Sequence, residues 1–141
     1  GGMAGEIARS LAELVALDVP TLCVLLGQGT GGGALALMPA DRVLAAQHSW
    51  LSPLPPEGAS AILYRTPDRA PEIAAQQRVR SLDLLADGIV DRIVAEEPDA
   101  SEEPEAFCER MSQAIQHELA VLSAQSVADR LHAREARYRS L

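Results

Sequence analysis

The sequence reads Thr-Leu-Cys-Val-Leu-Leu-Gly-Gln-Gly-Thr-Gly-Gly-Gly-Ala-Leu-Ala-Leu-Met over residues 21–38. The apolar run at 21–26 predicts a buried strand, the glycines at 27–33 predict a tight turn, and residues 34–38 are compatible with a helix. Glycine lets the backbone approach a ligand closely, and the first N–H groups of a helix have no partners inside that helix. Since the helix dipole also favours negative charge at that end, the turn predicts an anion site.

Three known anion-binding arrangements differ in what they require of such a turn. A P-loop needs lysine followed by serine or threonine after its second glycine, and no lysine lies near this turn. The dinucleotide fingerprint is matched loosely by Gly27, Gly29 and Gly32, but no acidic residue ends a second strand at the usual distance. What remains is an oxyanion hole, in which adjacent backbone N–H groups stabilise charge on a carbonyl oxygen. The residues alone leave a second interpretation open, a tight turn whose glycines only let a helix pack closely on a strand.

Further motifs follow the glycine turn in a recognisable order. They are Ala-Asp-Arg-Val-Leu at residues 40–44 and Pro-Pro-Glu-Gly-Ala-Ser-Ala-Ile-Leu at residues 55–63. Together with residues 27–37 they resemble the carboxyltransferase of biotin-dependent acetyl-CoA carboxylases, on its α-type half, which faces biotin. Residues 83–94 are similar to the closing helix, glycine and strand of that family. The amino-acid sequence of the turn, together with that of residues 50–56, most resembles fused actinobacterial-type subunits. Those subunits carry β-like and α-like halves in one polypeptide.

The resemblance implies an α/β fold, the crotonase-like spiral of ββα units. This chain would hold the C-terminal portion of that spiral, with a C-terminal helical extension. We expect an α-type half-domain at residues 1–97 and the extension at residues 98–141. Because the upstream strands and the first oxyanion hole of the family are missing from the 141 residues, we expect a C-terminal fragment that is inactive alone.

Local patterns predict the individual elements. The acidic, proline-bearing stretch at 96–104 is typical of a solvated linker. Residues 50–51 lead into a proline-rich loop, and Ser81 and Gly88 are the expected N-cap and C-cap of one helix. The predicted helices are 4–15, one starting at 55–57, 68–77 and 81–86, and the predicted strands are 21–26, 42–46 and 89–94.

An apolar stripe beyond residue 104 predicts one long helix or two shorter ones. Such a stripe packs on its own domain or on a neighbouring subunit. Part of it offers a surface that a half-domain can hardly bury by itself, so we expect the chain to self-associate or to occur with other chains. The stripe consists of Phe107, Met111, Ala114, Ile115, Leu119, Leu122, Val127 and Leu131.

The function implied by the resemblance is transfer of a carboxyl group from carboxybiotin to acetyl-CoA, which gives malonyl-CoA. Negative charge develops on the thioester oxygen and on the ureido oxygen of biotin. By resemblance, Gly32 and Gly33, with Ala34 as the neighbouring donor, would present backbone N–H groups to the ureido oxygen. Gly31 stands where the family usually has serine, so the donor pair is defined only to within one residue. Biotin itself is thought to act as the base in this family, so no side-chain base is required.

Other residues of the two motifs are expected to line the biotin and substrate pocket. Leu35 and Ala36 lie just behind the hole and are candidates for selecting acyl-chain length. Core packing explains Trp50 equally well, and a place in the first turn of a helix explains Glu57. The candidate pocket residues are Gly29, Thr30, Gly31, Leu35, Ala36, Trp50, Leu51, Pro56, Glu57, Gly58 and Ala59.

Composition limits the partners. The net charge of −8 at pH 7 disfavours nucleic acid and anionic membranes. We expect a cytoplasmic protein that works with an acyl-CoA substrate, a biotin carboxyl carrier protein and the complementary β-type half in a homo- or hetero-oligomer. The arginines at positions 130, 134, 137 and 139 alternate with acidic residues and are typical of a solvated helix end.

No metal is expected in this chain, and biotin would be carried on a separate protein. The three histidines are distant in sequence from carboxylates and cysteines, which argues against a zinc site. Cys23 and Cys108 have no metal-ligand or redox spacing, and both are expected to be reduced and to behave as small hydrophobic residues.

Two alternatives to this function differ in class. A malonate decarboxylase-type subunit or another crotonase-superfamily acyl-CoA enzyme would share the oxyanion loop, but not the Pro-Glu-Gly-Ala run as closely. In a non-catalytic assembly domain, the glycine turn would serve packing and the helical tail would bind a partner. A serine hydrolase has no support, since Ser49 and Ser52 lie in no Gly-x-Ser-x-Gly elbow.

Overall fold

The computed structural model describes residues 2–140 as a mixed α/β structure. Its helices are α1 (Met3–Val15), α2 (Gly31–Leu35), α3 (Pro56–Tyr64), α4 (Ala70–Gln77), α5 (Ser81–Ala86), α6 (Pro104–Ser123) and α7 (Val127–Arg139). Its strands are β1 (Leu22–Leu25), β2 (Gln28–Thr30), β3 (Arg42–Ala46), β4 (Trp50–Ser52) and β5 (Arg92–Val94). Of the helices formed by residues 2–140, none combines the length and the apolar character needed to cross a membrane.

Two parallel sheets alternate along the chain. Strands β1, β3 and β5 form one sheet in that order, with Leu22 opposite Arg42 and Leu44 opposite Arg92. Strands β2 and β4 form the other sheet. The chain passes from a strand of the first sheet to a strand of the second and then to a helix, through β1-β2-α2 and again through β3-β4-α3. These are two successive ββα units, as the resemblance to the crotonase-like spiral implies.

The second sheet is the part of the fold that sequence patterns do not predict. Residues 28–30 belong to the stretch interpreted as a turn, and residues 50–52 lead into what was expected to be a loop; both are strands of three residues. They pair with each other, with Gln28 opposite Trp50 and Thr30 opposite Ser52. Since three residues are too few to show an alternating pattern, only the long-range pairing identifies them as strands.

Apolar side chains cover both faces of the three-stranded sheet. Val43 and Ala45 face one cluster, and Leu44 and Ala46 face the other, as the alternation of a strand requires. Leu51, Leu84 and Val90 are among the residues that complete the first cluster, and α6 supplies much of the second. The strands are therefore buried on both faces, which explains their nearly continuous apolar sequence.

Helix α6 buries most of the apolar stripe that the sequence marks beyond residue 104. Phe107, Met111 and Ala114 pack on Leu44 and Val94 of the sheet. The expectation that this half of the fold could not bury the stripe is therefore wrong for these residues and for the buried Leu122, whereas Leu119 and Val127 are exposed. The two shorter helices of the alternative prediction, α6 and α7, are the ones observed.

Helix ends differ from the sequence predictions by a few residues. Helix α2 begins at Gly31, three residues earlier than expected, and Gly31 itself has a φ of +70°. Ser81 is the first residue of α5 and not its N-cap, because its hydroxyl donates to the carbonyl oxygen of Gln47. Gly88, with a φ of +77°, directly follows the C-cap Asp87 and gives the expected left-handed end.

The acidic connector before α6 is anchored, and the prediction of a fully solvated linker is wrong at Glu96. This carboxylate is buried and accepts hydrogen bonds from the backbone N–H groups of His48, at 2.7 Å, and Ala100, at 3.1 Å. Glu103 accepts a hydrogen bond from Arg110. The connector is thereby tied to the turn after β3 and to α6.

The arginines near the C-terminus are the largest departure from the sequence predictions. Arg130 and Arg134 are buried, and Arg137 pairs with Asp91 at 2.7 Å, so a solvated helix end is the correct description only for Arg139. Arg134 donates from Nε and Nη2 to the two oxygens of Asp41, each at 2.8 Å. It also donates to four backbone carbonyls within residues 14–19, at the end of α1 and in the following loop. Helix α7 thus holds α1 and the start of β3 together.

Asp41 is expected to make stability depend on pH. Burial by itself would raise the pKa of its carboxyl group, but hydrogen bonds from Arg134 and Thr21 outweigh burial and hold this pKa below its ordinary value. Because the folded pKa is the lower one, the contribution of Asp41 is fully present above the unfolded pKa of about 3.9 and is lost as the pH falls through the folded pKa. We expect Asp41→Asn to flatten the fall in the free energy of unfolding below about pH 4, as measured by urea denaturation at a series of pH values.

Glu135→Gln is the control for that experiment, since Glu135 lies in an exposed pair with Arg139. It should retain the wild-type dependence on pH. An acid limb of the same steepness in Asp41→Asn and in the wild type would contradict the assignment.

Candidate active site

The glycine turn and the second motif meet at one edge of the small sheet. Strands β2 and β4 are parallel, with Gly29 opposite Leu51 and Thr30 opposite Ser52, so both end at the same edge. Helix α2 starts directly after β2. After β4, the loop at 53–55 leads into α3. Both helices therefore follow strands that end at the same edge of the small sheet, although about 25 residues separate the starts of α2 and α3.

The start of α2 presents backbone donors that the rest of the described chain does not use. No loop carbonyl among residues 2–140 accepts a hydrogen bond from the N–H groups of Gly32 or Gly33, which lie in the first turn of α2, and the Thr30 side chain does not cap the helix. Ala34 is the fourth residue after the N-cap Thr30, so its N–H is the first that the helix itself can use. Gly33 is exposed, and a Cβ atom added to it would meet nothing within 4 Å. An oxygen atom of a ligand can therefore approach this end of the helix.

Neighbouring glycines have structural reasons to be glycine. A Cβ on Gly32 would lie 2.7 Å from Cδ1 of Ile7, so helix α1 packs directly on it. A Cβ on Gly29 would lie 3.0 Å from Cδ1 of Leu51 and 3.4 Å from the carbonyl oxygen of Trp50. The packing interpretation of the turn thus applies to these two glycines, whereas Gly33 has no such constraint.

A cleft of about 570 Å³ is lined in part by residues of the second motif. Of the expected pocket residues, only Trp50, Pro56 and Glu57 line it. Its lining is mainly apolar, as is typical of sites for small organic ligands. The remaining lining residues are Gln47, His48, Ser49, Ala70, Pro71, Ala74, Val79, Arg80, Ser81 and Leu82.

The other expected pocket residues lie outside the cleft. Leu51 and Ala59 are buried, as is Ala36, and Leu51 belongs to the first core cluster. Gly58 is half-buried in α3. The remaining four lie on β2 and α2: Gly29, Thr30, Gly31 and Leu35. The assignment of all these residues to a pocket stays a prediction.

Residues 79–82 are a part of the cleft that sequence reasoning missed. The backbone N–H of Leu51 donates to the carbonyl oxygen of Val79 at 2.9 Å, and that of Ser81 donates to the carbonyl oxygen of Ser49 at 3.1 Å. These bonds bring the start of α5 onto β4. A single apolar residue, Val79, between two arginines is not a sequence pattern that predicts contact with a distant strand.

One cluster of potential metal ligands surrounds His48. Its Nδ1 lies 3.6 Å from an oxygen of Glu96 and 3.6 Å from an oxygen of Asp99, although both acids are distant in sequence. The ligand atoms of the three residues lie within 4.8 Å of one another. Exposed carboxylates often gather in this way without a metal, and no function is assigned to the cluster.

The cysteines offer no nucleophile for the candidate site. Burial raises the pKa of the Cys23 thiol, with a smaller opposing effect from Arg137, so this sulfur stays protonated at neutral pH. Cys108 is exposed on α6, contrary to the expectation that it behaves as a small hydrophobic residue.

Comparison with protein families and their members gives a consistent result. A family model described as acetyl co-enzyme A carboxylase carboxyltransferase-like matches residues 1–141. The chain is 58% identical, over its whole length, to the probable biotin-dependent acyl-coenzyme A carboxylase beta3 subunit of Mycobacterium tuberculosis, of which it covers 28%. It is 40% identical to the acetyl-coenzyme A carboxylase carboxyl transferase subunit alpha of Deinococcus radiodurans, with 99% of this chain and 45% of that protein covered. The chain thus spans less than half the length of these relatives.

Solved structures share the fold. A Pseudomonas malonate decarboxylase hetero-tetramer in complex with coenzyme A has a chain that superimposes with a TM-score of 0.71 at 20% identity, covering 99% of this chain and 57% of that one. Transcarboxylase 12S superimposes with a TM-score of 0.57 at 22% identity, covering 80% of this chain and 23% of that one. At these identities the likeness concerns the fold alone, and it agrees with the expected crotonase-like arrangement of ββα units and C-terminal helices. Since the family model spans every residue, the chain belongs to the acetyl-CoA carboxylase carboxyltransferase family.

Proposed function

We propose that this chain is the biotin-facing, α-type part of a carboxyltransferase that moves a carboxyl group from carboxybiotin to acetyl-CoA. The observation that carries this proposal is the pair of N–H donors at Gly32 and Gly33, in the uncapped first turn of α2, in a chain of this family; Ala34 stays the proposed neighbouring donor. Malonyl-CoA would be the product.

The chain's own part in the reaction is to stabilise charge. Biotin, bound on its carrier, would supply the ureido group that carries the carboxyl group. When the carboxyl group leaves, negative charge would develop on the ureido oxygen. Backbone donors fixed at the start of α2 would hold that oxygen, and since they are held by the fold they need no reorganisation during reaction. Their contribution would come from position alone, since glycine supplies no side-chain chemistry.

The mainly apolar cleft beside Trp50, Pro56 and Glu57 is proposed to receive part of the biotin group or of the acyl-CoA. Glu57 is exposed in the first turn of α3, where a carboxylate suits the helix dipole. We therefore assign it no role as a base. Leu35 and Ala36 remain the proposed determinants of acyl-chain length.

The same proposal includes the surroundings of the site. A biotin carboxyl carrier protein and the complementary β-type half are the proposed partners, in an oligomer that works in the cytoplasm. We retain residues 1–97 as the half-domain and 98–141 as its helical extension. No metal is included in the proposal.

A transfer assay tests this function with the full-length protein that contains the chain. Biotin carrier protein bearing a ¹⁴C-labelled carboxyl group is mixed with acetyl-CoA, and labelled malonyl-CoA is measured. Label in malonyl-CoA supports the proposal. Release of label from a malonyl thioester without any transfer to acetyl-CoA would favour a malonate decarboxylase-type function, and neither reaction would favour an assembly domain.

Residues 1–141 alone are expected to show no carboxyl transfer in that assay. The chain spans 28% of its mycobacterial relative, and the thioester hole and most coenzyme A contacts are proposed to belong to the remainder. Addition of the complementary half should be required for any product. Turnover by residues 1–141 without that half would disprove this division of the site.

Association with other chains is a separate expectation. Leu37, Ile62 and Leu63 are more than 60% exposed, as is Leu82, although the α6 stripe is mostly buried. Exposed apolar side chains of this kind favour contact with a partner. We expect sedimentation of residues 1–141 at micromolar concentration to show self-association, and a strictly monomeric, well-folded species would contradict this.

A further inference from the structure

A second cavity, of about 230 Å³, lies between the start of β3 and the hairpin formed by α6 and α7, and none of its lining residues belongs to the glycine turn. Four of its lining residues are arginines, at positions 42, 130, 134 and 137. This concentration of positive charge contrasts with the net charge of −8 for the chain. The proposed carboxyl transfer does not use the cavity.

Three of these arginines have carboxylate partners. Arg42 lies 2.9 Å from an oxygen of Glu118 and 3.2 Å from one of Asp91. Arg137 lies 2.7 Å from the other oxygen of Asp91, and Arg134 donates twice to Asp41. These three carboxylates serve three arginines of the cavity, and Glu118 also lies 3.8 Å from Arg92, so no carboxylate is left to neutralise the fourth arginine of the cavity.

The fourth is Arg130, whose side chain is only 5% exposed. Its Nη atoms donate to backbone carbonyls, among them those of Leu122 and Asp18, which carry no net charge. Among residues 2–140, no group accepts a hydrogen bond from its Nε. The oxygen Oδ2 of Asp41 lies 4.0 Å from that Nε, but it already accepts from Arg134 and twice from Thr21.

A buried charge is unfavourable when its nearest carboxylate is 4.0 Å away and already bonded to other donors, and a buried N–H without an acceptor requires an explanation of its own. Arg137 also has a buried N–H without an acceptor, since no group among the described residues accepts a hydrogen bond from its Nε. Arg130 and Arg137 both line the same cavity. One negatively charged ligand in that cavity would account for the charge of Arg130.

We propose that this cavity binds a small oxyanion of the phosphate class. The planar guanidinium group has the geometry that recognises phosphate and carboxylate oxygens, which favours an oxyanion over a simple halide. A volume of about 230 Å³ is several times the roughly 30 Å³ that one water molecule occupies in the liquid, so an oxyanion and some of its hydrating water fit. The bound anion ties α7 to the start of β3 and to the end of α6.

Equilibrium dialysis with ³²P-labelled inorganic phosphate tests the site in the full-length protein, at constant ionic strength. Arg130→Met removes the unpaired charge at similar side-chain length. Arg139→Met is the matched control, because Arg139 lies on the same helix with an 80% exposed side chain. We expect Arg130→Met to bind one equivalent of phosphate less than the wild type, or to bind it at least tenfold more weakly, while Arg139→Met binds as the wild type does.

Crystals of the wild-type protein soaked in selenate give a second measurement that does not depend on folding of the variant. An anomalous peak for selenium beside Arg130 is the expected result. Unchanged phosphate binding in a folded Arg130→Met protein would overturn the proposal. Absence of selenium from the cavity at saturating selenate would overturn it as well, including where Arg130→Met does not fold.

Discussion

Arg134→Met is expected to lower the free energy of unfolding by about 3–5 kcal/mol, the range typical of removing one partner from a buried ion pair. The Arg134 side chain is fully buried and Asp41 is 3% exposed, so the carboxylate left behind could not turn to water. Four backbone carbonyls within residues 14–19 would lose a donor at the same time. Urea denaturation followed by circular dichroism measures the change.

Arg139→Met is again the control, since its exposed pair with Glu135 is expected to contribute no more than about 0.5 kcal/mol. Asp41→Asn added to Arg134→Met removes the stranded charge, so the double variant should be more stable than Arg134→Met alone. A loss below about 1 kcal/mol in Arg134→Met would place this pair among weak surface pairs. The conclusion that Arg134 of α7 holds α1 and the start of β3 together, here called the Arg134 clamp, would then be wrong.

This clamp shows what a charge pattern in sequence can and cannot predict. Arginines spaced along a polar C-terminal helix are typical of a solvated face, and for Arg139 that prediction is correct. Arg134 differs because its acceptors lie more than 90 residues away, on Asp41 and at the end of α1. No pattern within the helix records those partners. Glu96 is a similar case, since its burial depends on the distant His48 backbone.

Apolar runs predicted the large sheet because apolar side chains pack on both of its faces, most completely on the central strand β3, which is buried after Arg42. Strands β1, β3 and β5 all lie within predicted strands, and β5 is shorter than expected at its start. The small sheet had no such signal. Its strands, Gln28–Thr30 and Trp50–Ser52, have three residues each, and the first of them lies within the glycine-rich stretch. The ββα repeat therefore came from the family resemblance, and the pairing of β2 with β4 confirms it.

The candidate site divides in the same way. Strand, glycine turn and helix start follow one another as the residues at 21–38 predict, with the helix three residues early. Proximity of the two motifs depends on the parallel pairing of β2 with β4, and the cleft depends on contacts of residues 79–82 with β4. These are long-range facts of the fold. The residues of the cleft other than Trp50, Pro56 and Glu57 were therefore not predicted.

Gly33→Val is expected to slow carboxyl transfer by the complete enzyme, because a bulky side chain beside this N–H would block the approach of the ureido oxygen. We expect a loss of about 10²–10³-fold, which is typical when one oxyanion-hole donor no longer acts. The fold should tolerate the change, because a Cβ at Gly33 meets nothing within 4 Å and the residue has no positive φ. Gly32 would be a poor choice for this test. A side chain there collides with Ile7, so lost activity could reflect a displaced α1.

Gly5→Val is the matched control, because Gly5 is an exposed helical glycine whose added Cβ also meets nothing within 4 Å. It introduces the same side chain on α1, before the glycine turn, and should leave the rate unchanged. The measurement is the rate of transfer from carboxylated carrier to acetyl-CoA, with thermal unfolding of each variant as the check on folding. Equal slowing of both variants would indicate a general effect of valine. If Gly33→Val transferred at near the wild-type rate, the donors for the ureido oxygen would have to lie away from the start of α2, and the observation on which the proposed function depends would be lost.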